Sequence, residues 1–310
     1  MLLSRYLQSF PFDRVANGSV ATIGSFDGLH RGHRELLGRV FSEAKARNLP
    51  SVVMSFEPTP KEFFLVDSPP ARLMRFREKF DALRSAGVDI FFCPRFNQAM
   101  KNIAADTFIR QILVHAFNVQ HLVIGDDFRF AQDREGHLDM LRRAGDAIGF
   151  TVEQASSVMH DGERVSSSAI RDSLWEGDLE RATGLLGHPY RMSGRVILGE
   201  RVGRQLGYPT ANVNLNRKQS AVAGIFAVRA SGKDWGPLDA VASVGTRPTF
   251  GDNKPLLEVH SFDFDKDIYG EYSHVDCVAR LRSEEKFDEV DALVEQMHRD
   301  SALARESLAA

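Results

Sequence analysis

At 310 residues the chain is long enough for two medium-sized domains, and its 43% hydrophobic content can supply a core for each. The formal net charge of −3 comes from interspersed acids and bases, with no basic tail or block to argue for nucleic acid as a partner. No apolar run reaches the roughly 20 residues of a membrane span, residues 1–20 lack a signal-peptide core, and Cys93 and Cys277 each lie in an apolar or strand-like run as buried free thiols, so the expectation is a soluble, cytoplasmic protein with no membrane partner.

Strand and helix patterns alternate through residue 186, the signature of an α/β domain on a parallel sheet over 1–186. The spacing predicts strands at 20–23, 51–56, 90–93, 121–125 and 151–155. It predicts helices near 33–47, 72–86, 106–117, 136–148 and 168–186, with Asp106-Thr107 as a helix start and Gly87 and Gly149 as helix ends. Ligands in such folds sit at the carboxyl ends of strands. Three turns fall there, around His30, around Phe56-Glu57-Pro58 and along 125–130.

The pattern changes after Leu186-Gly-His-Pro189. Over 187–310 the β-like runs are 195–198, 225–230, 240–244, 257–262 and 274–281, punctuated by Gly, Pro, Asn and Asp. They read as a small antiparallel barrel or sandwich. A closing helix is expected over 284–306, with Phe287, Val290, Leu293, Val294 and Met297 on one face.

The most informative stretch is Gly24-Ser-Phe-Asp-Gly-Leu-His30-Arg-Gly-His33. It lies at a strand-to-helix turn, and two histidines three apart share a face of the helix. Gly24, Gly28 and Gly32 let the backbone approach a ligand closely. A helix N-terminus offers free N–H groups and a positive dipole end, which suits phosphate. The chemistry this fits is displacement at a nucleotide phosphate, with imidazoles holding the triphosphate as charge develops. A pair of surface histidines near a helix cap is the alternative; a metal site ranks below both, since no further ligand cluster lies nearby in sequence.

Arg164-Val-Ser-Ser-Ser168-Ala-Ile-Arg171 adds hydroxyls, free N–H groups and two guanidiniums at another helix start, a phosphate cradle with Ser167 or Ser168 as the cap. Taken alone, it reads as well as an ordinary capped helix with solvated arginines. Gly125-Asp-Asp-Phe-Arg-Phe130, taken alone, reads as a charged turn with its phenylalanines packed inward.

In the second half, Gly194-x(8)-Gly203-Arg204-x-Leu-Gly207-Tyr208-Pro209-Thr210-Ala-Asn212 is dense in turn residues. In extended chain the Thr210 and Asn212 oxygens face one side, which suits Mg²⁺ carrying a nucleotide phosphate. A simple Gly-Pro-Asn turn would read the same way without further context. No Walker A sequence occurs in the chain.

As an ordered set, Gly24-x-Phe26-Asp-Gly-x-His30-x-Gly-His33, Phe56-Glu-Pro-x-Pro60, Gly125-x-x-Phe-Arg-Phe130 and Ser166-Ser-Ser-x-Ile-Arg171 resemble the prokaryotic bifunctional FAD synthetases. Gly207-Tyr-Pro-Thr-Ala-Asn212, Gly224-Ile-Phe-Ala227, Gly245-Thr-Arg-Pro-Thr-Phe250, Glu258-Val-His260 with Asp263-Phe264, and Tyr269-Gly270 resemble the riboflavin kinase part of the same family. The resemblance runs from about residue 16 to 300. It implies a Rossmann-like nucleotidylyltransferase domain (1–186), then a β-barrel riboflavin kinase domain (187–310) with a C-terminal helix. It implies phosphorylation of riboflavin by ATP to FMN, then adenylylation of FMN to FAD and pyrophosphate.

It further implies that His30, His33, Asp127, Arg164, Ser167, Ser168 and Arg171 serve the ATP of the adenylyl step, with Gly24 and Phe26 lining that site. Gly203, Arg204, Gly207, Tyr208, Pro209, Thr210 and Asn212 would serve the kinase site, with Thr210 and Asn212 on Mg²⁺ and Glu258 as the base for the ribityl hydroxyl. Three positions depart from the family pattern. Thr59 stands where His is expected, Ala131 where Gly is expected, and Phe226 where Tyr is frequent. A member with one inactive site and a flavin-binding regulator without catalysis are the alternative functions, and the sequence leaves the oligomeric state open.

Overall fold

The computed structural model describes residues 1–199, 203, 206–246 and 255–309. Arg204 and the 247–250 part of the Gly245–Phe250 motif lie outside the described residues. The backbone divides into two compact units, Met1–Pro70 with Arg75–Val165, and Ala71–Met74 with Ser166–Ala310.

In the first unit, Ser19-Val-Ala-Thr-Ile23 is small and β-branched, and all five residues are buried. A strand buried on both faces belongs at the centre of a parallel sheet. The elements run β1 (Leu2–Ser4), β2 (Ser19–Ile23), α1 (Arg31–Arg47), β3 (Ser51–Met54), α2 (Pro60–Phe64), α3 (Phe76–Ala86), β4 (Ile90–Phe92) and α4 (Gln98–Lys101). There follow α5 (Ala105–Phe108), continued by a π-helical stretch over Ile109–Ala116, then β5 (Val119–Gly125), α6 (Leu138–Ile148) and β6 (Thr151–Ala155). A small hairpin, β7 (Met159–His160) and β8 (Glu163–Arg164), closes the unit.

The six-stranded sheet has the order β1-β4-β3-β2-β5-β6, and every pair in it is parallel. From β2 the chain builds outward through β3 and β4, then returns to place β5 on the other side. The order therefore reverses at β2, where doubly wound sheets open a crevice beyond the strand ends. This is a Rossmann-like fold. Its core packs Phe10, Phe92 and Phe117 ring to ring, with centroids 5.3–5.7 Å apart.

The second unit carries α7 (Ser167–Glu176), α8 (Leu179–Leu186), β9 (Tyr190–Ile197), β10 (Ala211–Asn214), β11 (Gly224–Ser231), β12 (Leu238–Thr246), β13 (Pro255–Ser261), β14 (Tyr272–Arg282) and α9 (Val290–Ala309). The six strands close into an antiparallel barrel, β10-β13-β12-β11-β14-β9, which settles the barrel-or-sandwich choice. Along β13, Leu257 and Val259 are buried while Glu258 and His260 are half-buried on the other face. Ala304 and Leu308 of α9 pack on Phe262 and Ala227, and Arg229 donates to the Leu308 carbonyl at 2.8 Å.

Several expected boundaries move. Residues 168–186 form two helices, because Gly177 ends α7 with φ 85 and the Asp178 carboxylate starts α8 by accepting the Arg181 N–H. The cap of α7 is Ser166, which accepts the Ala169 N–H at 3.1 Å, so neither Ser167 nor Ser168 is the cap. The helix expected from residue 72 starts at Phe76, since Ala71–Met74 belong with the second unit. The closing helix starts at Val290, which leaves Phe287 ahead of it. Strand β10 lies inside the Gly-Tyr-Pro-Thr-Ala-Asn signature, where turn residues mask it.

Candidate active sites

After β2 the chain turns sharply through Phe26 (φ 48), Gly28 (φ 92) and Leu29 (φ 41). Left-handed backbone at two non-glycine residues is strained, and such strain persists where the surroundings over-determine it. Here Phe26 and Leu29 are buried, at 0% and 3% exposure. The turn delivers His30 to the N-cap of α1, where its Nδ1 accepts the His33 N–H at 3.3 Å. An accepting ring nitrogen carries no proton, so neutral His30 bears its N–H on Nε2.

The His33 ring stacks on His30 with centroids 3.6 Å apart and 17° between planes, and Phe26 flanks it at 5.1 Å. A Cβ on Gly32 would stand 3.3 Å from the His30 ring, and one on Gly24 would stand 3.1 Å from the Phe26 ring. Both glycines thus make room for the aromatic pair. Burial, then the charges of His30 and Lys79, hold the His33 pKa well below its ordinary value, which keeps the ring neutral near pH 7.

Lys79 is a site feature that the motif reading missed. It is 3% exposed, and its Nζ donates to Ser55 Oγ at 3.3 Å. Ser55 in turn donates to the Ser25 carbonyl at 3.2 Å, linking α3 to the histidine turn through the end of β3. The sequence signal is a lysine on the same stripe as Phe76 and Leu83 of an amphipathic helix.

The turns after β2, β3 and β5 follow three adjacent parallel strands, so all three lie on one end of the sheet. After β3, Thr59 caps α2 and forms a capping box with Glu62, the Thr59 N–H donating to its carboxylate at 2.9 Å. The residue that replaces the expected His therefore has a structural task. After β5, Asp126 accepts from Ser157 at 2.6 Å and from Arg164 at 2.8 Å, and Asp127 lies 3.6 Å from the same guanidinium. Asp127 and Arg164 are thus brought together as an ion pair.

In the second unit, Ser167 and Ser168 occupy the first turn of α7. Arg171 reaches back along the helix to the Ser167 carbonyl at 3.0 Å and donates to the Ala71 carbonyl at 2.6 Å.

On the barrel, Asn212 of β10 pairs with Glu258 of β13, which pairs with Ser243 of β12. An amide, a carboxylate and a hydroxyl therefore form one row across three strands. With Thr210, Tyr208 and Gly203 they line a cavity of about 300 Å³. Gly203 has to be glycine, because a Cβ there would stand 2.4 Å from the Tyr208 carbonyl. Gly207 (φ 85) makes the turn that carries Tyr208 and Pro209.

His260, also on the cavity wall, donates from Nδ1 to the Pro209 carbonyl at 2.9 Å, tying the signature loop to the Glu258 strand. Tyr208 sits edge-on to His260 and contacts His298 through its hydroxyl, and burial raises the pKa of that hydroxyl. The remaining wall holds a fork between Arg282 and Asp300, at 2.8 and 2.7 Å, which Gln296 completes at 2.9 Å.

The hard oxygens of Thr210 and Asn212 border one cavity with a carboxylate, a donor set that suits Mg²⁺ with a nucleotide. A Cβ at Gly199 would stand 2.2 Å from the Asn212 amide nitrogen, so the backbone leaves that amide its place. Among the described residues no helix is long and apolar enough to cross a membrane.

A histidine pair at the switch point of a parallel sheet, and a closed barrel whose cavity holds threonine, asparagine and glutamate, define a two-site enzyme of nucleotide phosphate chemistry. Comparison with known proteins gives the family. The FAD synthetase family model matches residues 13–169 and the riboflavin kinase family model residues 186–308. The bifunctional riboflavin kinase/FMN adenylyltransferase of Escherichia coli is 45% identical over 93% of this chain and 92% of its own. That of Haemophilus influenzae is 42% identical over 94% and 95%. A crystal structure described as a macrolide-efflux protein from Streptococcus pneumoniae matches with a TM-score of 0.83 and 30% identity, covering 98% of each chain. The chain belongs to the family of bifunctional riboflavin kinase/FMN adenylyltransferases.

Proposed function

We propose that the two reactions of the family are divided between residues 1–186, the FMN adenylyltransferase domain, and residues 187–310, the riboflavin kinase domain. The enzyme phosphorylates riboflavin with ATP to FMN, and then transfers AMP from a second ATP to FMN, releasing pyrophosphate. The observation that carries the kinase half is that Thr210, Asn212 and Glu258 border one cavity. Glu258 takes the proton of the ribityl 5′-hydroxyl as the hydroxyl oxygen attacks the γ-phosphorus and the bond to the β–γ bridging oxygen breaks, releasing ADP; the proton transfer needs a carboxylate within hydrogen-bond reach. Thr210 and Asn212 would hold Mg²⁺, which would neutralise charge on the ATP phosphates. Gly203, Arg204, Gly207, Tyr208 and Pro209 are assigned to the nucleotide and flavin site by family pattern.

In the adenylyl step an FMN phosphate oxygen attacks the α-phosphorus of ATP while the bond to the β-phosphate bridging oxygen breaks. The FMN phosphate is already a nucleophile, so alignment and charge stabilisation do the work. His30, with its N–H on Nε2, and His33 donate to the triphosphate. Asp127, Arg164, Ser167, Ser168 and Arg171 are assigned to the same ATP by family pattern, with Gly24 and Phe26 beside the nucleotide. The interspersed charges and the two buried free thiols support a cytoplasmic enzyme with no nucleic-acid or membrane partner. Incubation with riboflavin, ATP and Mg²⁺, followed by timed chromatography, tests the proposal. FMN should rise first and FAD follow, whereas FMN without FAD would mean that one site is inactive.

A further inference from the structure

Outside both sites, Glu43 of α1, His121 of β5 and Glu153 of β6 bring one ligand atom each within 4.8 Å of one another. His121 is 7% exposed, while the two glutamates are half-buried and open to solvent on one side. The cluster is built from three elements that the sheet topology brings together.

The imidazole is held on its far side. His121 Nδ1 lies 2.6 Å from Thr151 Oγ1, and Thr151 in turn donates to the Gln120 carbonyl at 3.3 Å. The tautomer that donates from Nδ1 to Thr151 leaves Nε2, the nitrogen that faces Glu153, able to ligate a metal. Metal-bound histidines are oriented in this way, by a hydrogen bond from the other ring nitrogen.

The carboxylate is divided in the same manner. Glu153 Oε1 accepts from Arg39 at 2.7 Å, and Oε2 stands 3.4 Å from His121 Nε2. A separation of 3.4 Å is long for a charged N–H···O bond, whose usual length is about 2.7–2.9 Å. It equals the edge of a tetrahedron with metal–ligand bonds of about 2.0–2.1 Å, the values for zinc with imidazole and carboxylate. Glu43, held by Arg47 at 3.1 Å, offers a carboxylate oxygen within 4.8 Å of the other two ligand atoms.

We propose that Glu43, His121 and Glu153 form a binding site for a divalent transition metal of the zinc class, with water as the fourth ligand. Its effect would be to fasten the C-terminal half of α1 to β5 and β6. The opposite end of the same helix carries His30 and His33, so the site would brace the element that positions them.

The test is equilibrium dialysis of the full-length chain against Zn²⁺, without nucleotide, in a His33→Ala background that removes the other histidine pair as a competitor. Co²⁺ absorption provides a second readout of tetrahedral coordination. One equivalent of Zn²⁺ should bind, and Glu43→Gln and Glu153→Gln should each weaken it at least tenfold while circular dichroism shows the fold intact. His121→Asn should abolish the visible Co²⁺ bands; if that variant fails to fold, the two glutamine variants decide alone. Zinc affinity unchanged in both glutamine variants would overturn the site, as would the absence of a stoichiometric equivalent at micromolar Zn²⁺. In either case the cluster is a polar contact between His121 and Glu153 and not a metal site.

Discussion

His30 joins a turn to a helix and fixes its own tautomer in doing so, because its Nδ1 is spent on the His33 N–H. His33 titrates far from its ordinary range, which makes a testable statement about stability. In the unfolded chain His33 takes up a proton near pH 6.5, and in the folded chain only well below that. Between those two values the unfolded state binds more protons, so folding stability falls as pH drops below about 6.5. The melting temperature of the parent relative to His33→Asn should therefore decline from pH 7.5 to pH 5. A gap independent of pH would contradict a sheltered, neutral His33. For Glu258, we predict that Glu258→Gln keeps the fold and nearly abolishes FMN formation. Conversion of supplied FMN to FAD should continue at the parent rate. An acid of no consequence on the barrel surface would tolerate the change in both assays.

At the scale of elements, the long periodic helices and the β-branched strands were legible because each carries its own spacing, as α1 and β2 do. Strand β10 was not, since only four residues pair and a Gly-Tyr-Pro-Thr run precedes them. The split of 168–186 was missed for a similar reason: apolar spacing runs on through α7 and α8, and Gly177 breaks it with backbone geometry alone. The histidine turn, the signature loop and Glu258 were readable as motifs. Lys79 and the Arg282–Asp300 fork were not, because a burial partner distant in sequence makes each of them part of a site.

Ala131 is instructive at this scale. The family pattern expects glycine there, and the residue sits at φ 65 and ψ −171, a region that essentially only glycine favours. Ala131→Gly should thus raise the stability of the first unit by about 1 kcal/mol. The gain is read as a higher urea midpoint; a lower midpoint would show that the alanine conformation is not strained.

For the whole molecule, the compact units divide at Val165, whereas the riboflavin kinase family model begins at residue 186. Helices α7 and α8 lie in the difference. Leu179, Leu185 and Leu186 of α8 are buried, and the helix packs on β9 and β14. A fragment from residue 187 would expose that barrel face, while one from residue 166 keeps it covered. Both fragments should make FMN and stop there, and the longer should melt several degrees higher. Equal melting temperatures would show that α8 adds nothing to the barrel.

Two chemistries at two independent sites make His33→Ala the most direct test. With riboflavin, ATP and Mg²⁺, this variant should form FMN at the parent rate while FAD formation falls by about 100-fold, the loss expected for a contact made to the transition state. FMN should then accumulate. If FMN formation fell as far as FAD formation, or if FAD formation did not change, the assignment of the histidine pair to a separate adenylyl-transfer site would be contradicted.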